Sequence, residues 1–205
     1  MTSFAIALAL LAAQDFSSFS YCRENVRGPY ETQCIALKPD GLGEVKFKRR
    51  EAEMVAVNIQ LSPVAKERFL TVLAGTNHLE QGDAYESTRK VADLGKKTLI
   101  LDMASGQRKA TYNYSSRKEV LDLQNFFEGL INQEAIGFDI DNALQFERLS
   151  IPKRLEQIEN EIRSNRIADP TRLIPVLEKI EGDQRVMNIA RMHAGRIKQQ
   201  IQSRK

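Results

Sequence analysis

Catalysis needs nucleophiles, metal ligands or paired acids at fixed spacing, and this chain supplies few of them. Two histidines and two cysteines, with no tryptophan, stand among 205 residues. His78, in Gly75-Thr76-Asn77-His78, has Glu80 and Asp83 nearby, a set able to ligate a metal or to act as an acid/base pair. No second histidine is close and the spacing matches no ligand frame, so a solvated loop histidine is the expectation. His193 lies four residues from both Ile189 and Ile197 and should pack within the stripe of a last helix. Asp139-Ile140-Asp141-Asn142 opens like a calcium loop. Ala143 occupies its fifth position, however, and the required glycine and glutamate are missing, which leaves Asp141 as a helix cap.

Gly41-Leu42-Gly43 lacks the third glycine and the following helix of a dinucleotide fingerprint. Neither a phosphate-loop Gly-Lys-Ser/Thr nor a Gly-x-Ser-x-Gly elbow occurs, and Ser105-Gly106 reads as a hairpin turn. No cofactor or metal is implied. Lys46, Lys48, Arg49 and Arg50 form the densest basic patch. Without interleaved aromatics to stack on bases, it reads as a strand protected by lysine against edge pairing, and nucleic acid is not the expected partner.

Cys22 and Cys34 are twelve residues apart on what read as adjacent strands. Either they bridge, closing a loop with a theoretical stabilisation of about 3 kcal/mol, or they remain two separate buried thiols. The compartment bears on that choice, and the N-terminus bears on the compartment. Ala5 to Ala13 read AIALALLAA, nine apolar residues ending before Gln14 and Asp15. That suits the apolar core of a signal peptide and falls far short of the roughly 20 residues of a membrane span. Residues 1–14 are therefore expected to be a leader, although no lysine or arginine precedes Arg23. No transmembrane span is expected once it is removed.

The elements that must position these residues follow from periodicity and turn chemistry. A first strand is predicted from Phe16 to Arg27, interrupted by Gly28-Pro29, and a second over Thr32 to Lys38. Pro39-Asp40-Gly41-Leu42-Gly43 then supplies a hairpin turn. Val45 and Phe47, then Val55, Val57, Ile59 and Leu61, alternate as two more half-buried strands. Ser62-Pro63 opens a helix carrying Phe69, Leu70, Val72 and Leu73, with Ser62 as N-cap. A second hairpin turns at Ala104 to Gln107. A second helix, with Ser116 as its cap, carries Val120, Leu123, Phe126, Phe127, Leu130 and Ile131. From Asp139 onward the pattern is wholly helical, with joints at Asp169-Pro170 and Gly182-Asp183, each placing an N-cap acid before a new helix. The expected fold is α+β: a mostly antiparallel sheet with two packed helices over 15–137, followed by a small helical bundle or hairpin over 138–205.

Composition agrees with a folded chain: 42% hydrophobic and 28% charged, with a net charge of +3. The basic surplus is local. Residues 185–205 hold six basic residues and no acid. Arg185, Arg191, Arg196 and Lys198 beside the stripe Val186, Ala190, Ile197 and Ile201 are the expected partner surface, against the plainer reading that the stripe faces a core and the cations complement a helix C-terminus.

Over residues 19–131 the chain resembles an uncharacterised family of secreted bacterial α+β domains. Gly28-Pro29-Tyr30, Asp40-Gly41-Leu42-Gly43-Glu44-Val45-Lys46-Phe47, Leu61-Ser62-Pro63, and Asp93 before the Thr98 strand carry the resemblance. Members place a cysteine at or near the position after Gly-Pro; here Tyr30 stands there and Cys34 follows four residues later. The resemblance implies an extracytoplasmic domain and brings no catalytic residues with it. Three functional readings stand at this point. The first is an exported, non-enzymatic interaction or structural module with a protein partner in the cell envelope. The second is a hydrolase assembled from dispersed carboxylates such as Glu80, Asp83 and Asp93. The third is a cytoplasmic anion-binding protein that uses its basic C-terminal helix.

Overall fold

The computed structural model describes residues 16–24, 30–80 and 82–203, and of Asp83 the backbone alone. The leader expected over 1–14, Gly28-Pro29 and the end of the first strand at Arg27 lie outside the described residues. The chain divides into two compact units, Met1–Phe127 and Glu128–Lys205.

In the first unit, β1 (Phe16–Glu24), β2 (Tyr30–Leu37), β3 (Leu42–Arg49) and β4 (Met54–Gln60) form a meander. Helix α1 (Pro63–Gly75) then leads to the hairpin β5 (Lys96–Met103) and β6 (Gly106–Tyr112). All pairings are antiparallel and the strand order is β4-β3-β2-β1-β5-β6. At the first hairpin Asp40 accepts a bond from the Leu42 N–H at 2.9 Å, and Gly41 takes φ +87°, a conformation that glycine adopts without a Cβ clash. Ser62 caps α1 by accepting from the Ala65 N–H, and Pro63 begins the helix where no N–H is needed.

Alternation sends Phe19 and Tyr21 of β1, Ile35 and Leu37 of β2, Val45 and Phe47 of β3, and Leu99 and Leu101 of β5 to one face, all buried. Phe69 of α1 and Phe126 and Phe127 of α2 (Lys118–Phe146) cover that face. Phe19 stacks on Phe127 with ring centroids 4.8 Å apart, and Phe69 meets Phe16, Phe19 and Phe127 edge-on. On the opposite face Cys22 and Cys34 sit directly across from one another in the β1–β2 register and their sulfurs are bonded.

The second unit is the all-α part of this α+β fold. It comprises the later turns of α2 with α3 (Ile151–Arg163), α4 (Ile174–Gly182) and α5 (Asn188–Gln202). Their apolar faces make one core from Ile136, Ile140, Ile151, Leu155, Ile158, Leu177, Ile180, Ala190, Ala194, Ile197 and Ile201 among others. The division at 137/138 expected from sequence falls inside α2, which continues through Gly137 to Phe146, and the compact units part ten residues earlier. Buried Ile131, Ala135, Ile136, Ile140 and Ala143 keep the helical apolar stripe going, and that burial outweighs the roughly 1 kcal/mol a mid-helix glycine costs. At the start of α2 the hydroxyl facing the Arg117 N–H belongs to Ser115, not Ser116.

A buried polar latch joins α2 to the segment between α3 and α4. Gln133 accepts from the Asp169 N–H at 2.9 Å, and Arg172 places its Nε and Nη2 on the two oxygens of Glu134. That pairing raises the Arg172 pKa, with the Glu134 hydrogen bond the main cause and burial opposing it. Gly129 lets the same segment come close, for a Cβ there would stand 3.1 Å from the Ala168 backbone nitrogen. Two outcomes follow. Gln133→Ala leaves the Asp169 N–H buried without its acceptor and should lower stability by about 1–3 kcal/mol in urea unfolding. Gly129→Val should destabilise despite removing a helical glycine, whereas an unchanged urea midpoint would show that the 166–168 backbone can move aside.

Candidate interaction surface

Helix α5 forms because its small and branched apolar residues recur on one side: Ala190, Ala194, Ile197 and Ile201 are all buried. The other side is not covered. Ile189, Met192 and Arg196, spaced three and four apart, share that face, and Ile189 is 71% and Met192 64% exposed. Met187, just before the helix, is exposed as well. This differs from the sequence reading, which put Ile189 in the packed stripe. Alanine 194 takes that role instead, since the i, i+4, i+7, i+11 series from Ala190 already fills the face turned to the core.

Three of the four cations expected to meet a partner are engaged by neighbouring side chains. Lys198 binds Glu181 at 2.6 Å and Glu178 at 3.7 Å, both from α4. The Glu181 hydrogen bond is the main reason its pKa is raised. Arg191 donates to Gln184 at 2.8 Å and to Asn188 at 3.2 Å. Arg185 forks onto both oxygens of Asp183, 2.9 Å each. Arg196 alone of the four lies on the exposed face beside Ile189 and Met192. Acids and amides of the same unit thus engage much of the basic surplus that the sequence shows in 185–205.

Next to the 183–187 connection lies an open charged pocket of about 460 Å³, lined by Asp141, Leu144, Gln145, Arg148, Lys179, Asp183 and Arg185. Lys179 spans from α4 to Asp141 of α2 at 2.7 and 3.0 Å, and Arg148 approaches Asp183 at 4.0 Å. Phe146 and Leu149, flanking Arg148, are 80% and 84% exposed. The pocket and its borders therefore mix cations with bare apolar side chains, a combination suited to an acidic partner that also carries apolar groups. Asp183 is not the N-cap of α5, which begins five residues later. Its carboxylate instead closes a turn by accepting from the Arg185 N–H at 2.9 Å. Nor does Asp141 cap a helix: it lies inside α2 and pairs with Lys179, while Asp139 faces Arg154 at 3.8 Å.

The carboxylates proposed for a hydrolase serve their own loops. Glu80 accepts from the Asn77 amide, and Asp93 from the Gly95 N–H at 2.9 Å. The side chain of Asp83 lies outside the described residues. His78 stands with Asn77 and Leu79 in three successive left-handed conformations, φ 48°, 52° and 59°, and its carbonyl accepts from Arg108 at 3.0 Å. His193 meets Glu159 of α3 at 3.3 Å, so it makes a polar contact at the border of the stripe. Among the described residues no three or more His, Cys, Asp or Glu side chains are grouped to hold a metal ion, and no helix is long and apolar enough to cross a membrane.

The loop from Glu86 to Gly95 and the start of β5 are built around one end of β6. Glu86 accepts from the Asn113 N–H, Asn113 bonds Leu94 N–H and Ala92 O, and the buried Lys97 ammonium donates to Asn113 O at 2.6 Å and Gly95 O at 3.2 Å. Comparison with protein-family models finds no match, and comparison with curated proteins finds none either.

The forked bond from Arg185, joined by its backbone N–H, holds the Asp183 pKa down to about 2, with burial opposing it. Because the folded-state value is depressed, the pairing stabilises the fold above the ordinary aspartate range and is lost as pH falls toward 2. Carboxyl-carbon NMR should place the Asp183 midpoint near 2 and show Arg185→Gln returning it toward the ordinary value. A midpoint unmoved by that substitution would refute the assignment.

Proposed function

We propose that the protein is an exported, non-enzymatic interaction module whose last helix presents Ile189, Met192 and Arg196 to an acidic, apolar-bearing segment of a protein partner in the cell envelope. The observation that carries this reading is the uncovered apolar pair on α5 with a cation between them in projection. A helix face that served only solubility would be polar there. Exposed Met187, Phe146 and Leu149, with Arg148 and Arg185 nearby, supply further apolar and cationic contacts of the same kind.

Export is supported by the AIALALLAA run, by the bond between Cys22 and Cys34, which suits an oxidising compartment, and by the resemblance to secreted domains. Two measurements on protein from fractionated native cells test the reading. Intact mass should give a chain starting at Gln14 or Asp15 and about 2 Da lighter than its reduced form, the mass of the two thiol hydrogens lost on bridging. A chain beginning at Met1 with free thiols would remove export. A photo-crosslinker at Ile189 or Met192 should form one discrete protein adduct that a crosslinker at exposed Gln157 does not form. That adduct should be weakened by Arg196→Glu. Equal labelling from all three sites would remove the surface.

A further inference from the structure

We propose that the pocket between α2, α4 and the 183–185 turn is a binding site for a carboxylate carried on an apolar body, with the Arg148 guanidinium as its anchor. The chain puts Arg148 there by breaking a helix. Helix α2 ends at Phe146, Glu147 leaves the helical region at φ −139° and ψ 47°, and Arg148 to Ser150 make one tight turn before α3 begins at Ile151. Bonds from Glu147 N–H to Ala143 O at 2.9 Å and from Ser150 N–H to Glu147 O at 2.8 Å hold that corner. Arg148 thus lines the pocket from a fixed backbone, with Leu144 as an apolar wall four residues before it.

The lining holds three cations and two carboxylates, and both carboxylates are already committed. The two oxygens of Asp141 accept from Lys179 at 2.7 and 3.0 Å. Those of Asp183 accept from the Arg185 side chain, and the Arg185 N–H adds a third bond. Arg148 is left over. The only ion pair it makes among the described residues is with Asp183, whose Oδ2 stands 4.0 Å from Nε, beyond hydrogen-bond reach. That Nε is shielded from water without an acceptor. A shielded donor of this kind is costly to leave unsatisfied, and a bound anion is one of the arrangements that account for it.

Charge and volume select the anion. The lining carries one positive charge in surplus, which a single carboxylate neutralises and a phosphate dianion would overcompensate. A carboxylate also matches the donor fork of a guanidinium. At about 460 Å³ the pocket falls in the roughly 300–1,000 Å³ range of sites for organic ligands, far more than a carboxylate alone fills. Leu144, with exposed Phe146 and Leu149 on either side of Arg148 in the chain, offers apolar contact to the remainder. The site does not rest on the α5 surface, for none of Ile189, Met192 and Arg196 lines it.

Titrating the full chain with sodium hexanoate at constant ionic strength tests this, read by the amide shifts of Gln145 and Arg185 and by the Arg148 Nε–H resonance. The shifts should saturate, with a midpoint below about 10 mM. Arg148→Gln should weaken binding at least about tenfold while unfolding at the wild-type urea midpoint. Should that variant fail to fold, Arg185→Gln serves in its place: it frees Asp183 to pair with Arg148 and cancels the surplus charge, so binding should fall by a similar factor. An acetylated peptide with one glutamate between leucines separates the sources of the carboxylate. Saturation by hexanoate shows that a free organic acid suffices, saturation by the peptide alone shows that the carboxylate belongs to a protein, and either supports the site. Ile189→Lys, which removes the α5 surface, should leave these titrations unchanged. No saturation by either probe at about 10 mM would overturn the proposal. So would inorganic phosphate binding as tightly as hexanoate, an Arg148→Gln chain that titrates like the wild type, or loss of binding in Ile189→Lys.

Discussion

Strand β1 must lie inside the sheet, and much of the first unit follows from that. Its Phe16, Phe19 and Tyr21 are the aromatic payload against which α1 and the first turns of α2 pack, and rings of that size are buried only if both flanks of the strand are occupied. Strands β2 to β4 fill one flank as a meander. The other flank can be filled only by chain that comes back, and α1 performs that return: it starts at the far edge after β4 and carries Phe69 across the aromatic face before β5 pairs with β1. On the opposite face the bond between Cys22 and Cys34 fastens β1 to β2 at one register position, so a slip that would turn Phe19 and Tyr21 outward is barred covalently.

The helical unit rests on a different constraint. Its core is aliphatic and shape-poor by comparison, and the segment from 164 to 173 has little regular structure to fix it. The Gln133 and Glu134 contacts supply direction that the Ile and Leu side chains do not: each polar partner has one satisfying geometry, while apolar packing tolerates several. Gly129 allows the backbones to approach closely enough for those bonds to form.

Local signals carried the strands and turns in advance. Asp40-Gly41, Ser62-Pro63 and the Ala104 to Gln107 turn are each decided by a few adjacent residues, and the structure places a turn or cap at each. What was not legible depended on neighbours distant in sequence. Gly137, Asp139 and Asp141 read as a boundary because glycine often ends one helix and an aspartate often caps the start of the next; Arg154 and Lys179, which hold those aspartates inside α2, come from later helices. Asp183 reads as a cap until Arg185 and Arg148 are seen on it. The candidate surface was half visible. Its cations could be counted, but whether Ile189 faces in or out turns on Ala194, a residue too small to announce that it belongs to a core.

The aromatic residues are unevenly shared. With no tryptophan in the chain, intrinsic fluorescence is dominated by tyrosine, and every tyrosine, including buried Tyr21, Tyr85 and Tyr112, lies in the first unit. Most of the helical residues that dominate far-ultraviolet dichroism lie in the second. One denaturation experiment read by both signals therefore follows the sheet unit and the helical unit separately without any label. Coincident curves would mean a single cooperative molecule, and displaced curves two structures that melt on their own terms.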